Sequence, residues 1–205
     1  MERAKIEVSR PRKFGLAGVL AAHVMSFLLA VPLLIALLLV SAKDLGIFNL
    51  LIPVAALVAV VCVLPFFGNA CISLIVRNLR PSSSRADSTW VVQITLCPRI
   101  RKGIRAALED ADDVGYLALE ESALIFNGDS VRMTIPFERI REVQGENVGL
   151  RGAYLTSGRI ILEAAGLDGF EGVEIAERSS RLIFSSRKIT REVFARIKEK
   201  VDASQ

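Results

Sequence analysis

The stretch Ser122-Ala-Leu-Ile-Phe-Asn-Gly-Asp-Ser-Val-Arg-Met-Thr-Ile135 changes character every second residue in its latter half. Val131, Met133 and Ile135 alternate with Arg132 and Thr134. Side chains on a strand point to opposite faces in turn, so this period predicts a half-buried strand. Ser122–Phe126 and Ser130–Ile135 flank Asn127-Gly-Asp129, residue types that tolerate a tight reversal, and the two halves read as a hairpin.

Working outward, Val114–Leu119 reads as a preceding strand, and Pro136-Phe-Glu-Arg-Ile-Arg-Glu-Val143 as a turn leading into another. Arg159–Glu163, Gly172–Ile175 and Arg181–Phe184 follow, separated by glycine- and serine-containing loops. About seven short strands at this spacing predict a small β-barrel or sandwich. The period then changes. Ile189, Val193, Ile197 and Val201 recur every four residues, with Glu192 and Arg196 as an i,i+4 pair and Ser186 or Thr190 as a cap, so one amphipathic helix closes the chain over the open end of the strands.

Antiparallel strands followed by a single C-terminal helix resemble the pleckstrin-homology superfold. Ser122–Val143 is similar to the opening of bacterial PH-like and GRAM-like domains, with a hairpin, an Ile-Pro step and an Ile-x-x-Val step. The resemblance spans 114–201 and leaves 202–205 as a tail. It implies a noncatalytic interaction module. In eukaryotic PH domains, basic residues in a loop between the first strands bind phosphoinositides; the matching Asn127-Gly-Asp129 is short and acidic, a departure from that pattern.

Upstream lies a different composition. The chain has 205 residues, 52% of them hydrophobic, and the apolar excess is concentrated in its first third. Gly15–Val40 and Ile47–Val76 each exceed the roughly 20 apolar residues that a spanning helix needs. They predict a transmembrane α-helical hairpin, with spans at 14–41 and 47–76, joined by Ser41-Ala-Lys-Asp-Leu-Gly46. The basic arm at 1–13 and Arg77, Arg80 and Arg85 after the second span place both termini in the cytoplasm of a two-span inner-membrane protein. His23 fits an interfacial or helix-packing role better than proton handling, and Asn69 fits interhelical bonding.

The connector at 77–113 begins as a Pro- and Ser-rich linker. Trp90–Leu96 reads as a strand or an interfacial segment. Ile100, Ile104 and Leu108 then form a stripe among Arg99, Arg101, Lys102 and Arg105, followed by Glu109, Asp110, Asp112 and Asp113. Two readings stand open: a basic helix resting on an anionic leaflet at roughly 1 kcal/mol per residue, or a surface helix packed on the domain. Arg178, Arg181, Arg187, Lys188 and Arg191 form a second basic cluster.

Catalytic chemistry has little to stand on. The one histidine, His23, lies in the first apolar run, so Cys97 has no histidine to activate it. Cys62, Cys71 and Cys97 have no metal-ligand spacing, and no Gly-rich phosphate loop occurs. Nucleic-acid binding is disfavoured because the bases lack interleaved aromatics and are mixed with acids. The expectation is therefore a non-enzyme without cofactor or metal, anchored in the lipid bilayer. Its contact residues would be Arg99, Arg101, Lys102, Arg105, Arg178, Arg181, Arg187, Lys188 and Arg191. They would meet a protein partner or a second copy of the chain; the alternatives are anionic lipid headgroups or an accessory role to a membrane enzyme or transporter.

Overall fold

The computed structural model describes residues 4–21, 24, 28, 31, 32, 35, 54, 69, 70, 72–79, 88–146, 150, 151, 154, 155, 158–167, 169–180 and 183–205. Ten strands are present among them: β1 Lys5–Val8, β2 Thr89–Cys97, β3 Asp113–Leu119, β4 Ala123–Gly128, β5 Val131–Pro136, β6 Ile140–Glu146, β7 Leu150–Arg151, β8 Tyr154–Leu155, β9 Arg159–Leu167 and β10 Phe170–Glu177. A short helix, α1, spans Ile104–Leu108, and a long one, α2, spans Ile183–Asp202. Residues 16–21 and 72–76 are also helical.

Eight strands form one curled antiparallel sheet in the order β1-β5-β4-β3-β2-β10-β9-β6, and β7 and β8 form a separate antiparallel pair. Strands β2 to β5 meander, and β10 returns to pair with β2. The segment Trp90–Leu96 is thus part of a central strand, held by β3 on one side and β10 on the other. Its alternation divides two environments. Trp90, Val92, Ile94 and Leu96 enter the main core, whereas Gln93 and Thr95 lie on the opposite face.

The main core fills the concave side between the sheet and α2. Val193, Ile197 and Val201 are buried there, with Ile189 and Phe194 partly buried beside them. Complete burial of one such side chain contributes about 1.5–3 kcal/mol, so this stripe is what holds α2 on the sheet.

The β4–β5 turn is tighter than the sequence implies. Asn127 still pairs with Arg132, and the turn proper is Asp129-Ser130. Gly128 stands opposite Gly115 across β3 and β4. A Cβ on Gly115 would lie 2.3 Å from the Asn127 carbonyl oxygen, and one on Gly128 would lie 2.2 Å from Asp113 Oδ2. Glycine is required at both positions by close approach.

The two-span hairpin expected at 14–41 and 47–76 needs correction, and with it the membrane-hairpin fold class and the two-span inner-membrane location with both termini inside. Among the described residues no helix is long and apolar enough to cross a membrane. The described ends of the apolar run contact protein: Phe14, Val19, Ile72 and Val76 are buried with Ala111 and Val114, against Val91 and Tyr116 on the convex side of β2 and β3. Hydropathy registers that these residues avoid water, and here a sheet face meets that need. Much of 22–71, with His23, Cys62 and Cys71, lies outside the described residues. The small β-barrel or sandwich of about seven strands is corrected as well, to a curled eight-stranded sheet with a C-terminal helix. Of the strand expected at 181–184, Ile183 and Phe184 begin α2 instead, and 181–182 lie outside the described residues.

Candidate functional site

The acidic run after α1 lies against the convex face of β2, and arginines from distant parts of the chain converge on it. Asp110 receives Arg99 at 3.0 Å and Arg159 at 2.6 Å. Arg159 also reaches Glu174 at 2.7 Å, and Arg178 reaches Glu109 at 3.2 Å. Three guanidinium groups therefore face three carboxylates. Arg159 and Arg178 are almost fully buried, and a buried charge is tolerated only when paired and hydrogen-bonded. Arg159 also donates to the Thr95 hydroxyl and the Asp110 carbonyl. Arg178 donates to Gln93 Oε1 at 2.5 Å and to Asn69 Oδ1 at 3.5 Å. Asn69 in turn donates to the Ser180 carbonyl at 2.6 Å, tying the helical end of the apolar run to the segment after β10.

Arg101 and Arg105 surround the next two acids. Asp112 accepts the Leu96 and Arg101 backbone N–H groups, while Arg101 donates to the Ser130 hydroxyl at 2.7 Å. Arg105 donates to the Asp112 carbonyl at 3.0 Å and lies 4.8 Å from the centre of the Phe14 ring. Burial and the nearby Arg101 lower its pKa. Asp113 Oδ2 accepts the Ser130 and Val131 N–H groups at 2.8 and 2.7 Å. Burial pushes its pKa up to about 6, against the opposing pull of those donors.

The β4–β5 turn also holds the start of the chain. Asp129 Oδ2 accepts three successive backbone N–H groups, from Arg12, Lys13 and Phe14, at 2.7–2.8 Å. Three N–H groups converging on one oxygen form an anion-binding nest, and here the chain supplies its own anion. Asn127 donates to the Leu79 carbonyl at 3.0 Å. The loop compared with a phosphoinositide-binding loop thus clamps both flanks of the apolar run.

These contacts divide the basic residues singled out from sequence. Arg99, Arg101, Arg105 and Arg178 belong to the internal network. The helix expected across 99–113 is confined to α1, and Ile104, placed on its apolar stripe, is 71% exposed. The order of bases then acids, unfavourable along a helix, is explained because the acids fold back onto bases. Lys102, Arg187, Lys188 and Arg191 are exposed, and Arg181 lies outside the described residues. Sequence reasoning missed Arg159. It opens an alternating strand, where an arginine reads as an ordinary solvent-facing residue, and its partners lie 49 and 15 residues away.

On α2 four of the exposed bases share a face. At 100° per residue, Arg187, Lys188, Arg191 and Lys198 fall within about a third of a turn, centred roughly 120° around the helix from Val193, Ile197 and Val201. Glu192 and Glu199 border that face, and Arg196 binds Glu192 at 2.9 Å while lying 5.4 Å from the Trp90 ring. A rigid helix packed on a core presents these charges in fixed relative positions, suited to an acidic surface. Comparison of the chain with models of protein families, with characterised proteins and with solved structures finds no match.

Proposed function

We propose that the protein is a noncatalytic interaction module that presents the exposed face of α2 to an acidic patch on a protein partner. The observation carrying this reading is the contrast between the two basic clusters. The arginines of the connector are held by internal carboxylates, whereas Arg187, Lys188, Arg191 and Lys198 project from a helix whose other side is anchored in the core. The acids bordering that face favour a partner of mixed charge over a uniform sheet of phosphates. The family resemblance belongs to the same reading, supported by antiparallel strands followed by one C-terminal helix.

The test uses labelled poly-glutamate as an acidic polypeptide probe and fluorescence anisotropy on the full chain. Wild type binds at low salt and weakens as ionic strength rises, because exposed charges are screened over about 10 Å at 0.1 M. The triple variant Arg187→Glu/Lys188→Glu/Arg191→Glu binds at least about tenfold more weakly at unchanged melting temperature. Equal binding by the variant contradicts the proposal. Preference for anionic vesicles over poly-glutamate at matched charge replaces the protein partner with a lipid surface.

A further inference from the structure

Among the described residues the outer edge of β1 forms no ladder, and its geometry specifies what can pair with it. Ser9 follows Val8, and its N–H donates to the Ser130 carbonyl at 2.7 Å. That bond marks Ser9 and Ser130 as a hydrogen-bonded pair of the ladder. In an antiparallel ladder such pairs alternate with non-hydrogen-bonded ones. Lys5 and Glu7 therefore bond toward β5, whereas Ile6 and Val8 direct their N–H and C=O groups away from it. Among the described residues no strand pairs with that edge; β9 comes near β1 without forming a ladder. Unpaired edges of this kind are templates for another strand.

We infer that two copies of this chain associate through their β1 edges, antiparallel about a two-fold axis at Ile6, joining their sheets into one. The parity of the outward groups allows only registers centred on a residue. Of the registers centred on Lys5, Ile6 and Glu7, the first opposes two lysines and the last two glutamates, whereas centring on Ile6 opposes Lys5 to Glu7 twice and Ile6 to Ile6; Ala4, 5% exposed and part of the core, takes no part in the pairing. Lys5 and Glu7 lie on the exposed face, where they already form an ion pair at 2.5 Å within one chain. Ile6 lies on the core side, partly buried. Opposite charges directly across a strand pair are favourable and like charges unfavourable, so this edge is self-complementary in one register. A two-fold interface of identical patches is closed and stops at a dimer.

This surface is separate from α2, so failure here leaves the acidic-partner reading intact, and the reverse also holds. Sedimentation and light scattering of the full chain across a concentration series give the test. Wild type is expected to dimerise. Lys5→Glu or Glu7→Lys places like charges opposite each other twice and weakens dimerisation on the order of tenfold. The double variant Lys5→Glu/Glu7→Lys restores it. Ile6→Pro removes an outward N–H that β5 does not use, and is expected to give a folded monomer. A monomeric wild type, single reversals without effect, or a double variant as weak as the singles each overturns the inference. Melting curves confirm that each variant is folded.

Discussion

Asp113 sits beneath the β4–β5 turn with Oδ2 accepting the Ser130 and Val131 N–H groups, and the Val114 N–H also favours its charged form. Its pKa in the fold, about 6, lies above the ordinary 3.8. The folded state therefore holds this proton more tightly than the unfolded chain. The sign follows: the contribution of Asp113 to stability is complete below about pH 4, falls as the pH rises toward 6, and above that leaves a cost of roughly 3 kcal/mol. Asp113→Asn keeps an oxygen for the two N–H groups and removes the titration, so melting between pH 4 and 7 should lose most of this slope; an unchanged slope would refute the assignment. Arg159 gives a second residue-scale prediction. Arg159→Ala leaves Asp110 and Glu174 without their buried partner and should cost about 3–5 kcal/mol in chemical denaturation. Lys188→Ala, on the exposed face, should stay within about 0.5 kcal/mol of wild type.

Among the elements, α2 and the clamp at Asp129 respond differently to truncation. Ile197 is fully buried, so Ile197→Ala should cost about 2–5 kcal/mol and loosen α2 as a whole. Asp129→Ala removes the acceptor of three N–H groups; hydrogen bonds to charged groups contribute about 1.5–3 kcal/mol. The expected effect is local: faster amide exchange at Arg12, Lys13 and Phe14 with β2 and β10 unchanged. Uniform acceleration throughout would contradict a local clamp. The β5 strand and the α2 stripe were legible because each writes its burial into a short-range period, two in Val131–Met133–Ile135 and four in Ile189–Val193–Ile197–Val201. The connector was not. Whether Arg99 faces solvent or Asp110 depends on a loop folding back, and Arg159 and Arg178 arrive from beyond the hairpin. A count of charges along the chain contains none of that. The ends of the apolar run misled for a related reason: Phe14 and Val76 are as apolar against a sheet as against lipid.

At the scale of the molecule, the curled sheet separates functions by face. Its concave side holds α2 through the main core; its convex side gathers the buried ion pairs and both described flanks of the apolar run. The exposed charge of α2 is thus set apart from the charge that stabilises the convex side. The most direct measurement of this division is lysine acetylation footprinting of the full chain, read by mass spectrometry, with and without poly-glutamate. The account predicts that Lys188 and Lys198 on α2 become protected while Lys102 beside α1 reacts as before. Protection of Lys102 with Lys188 and Lys198 unchanged would contradict it.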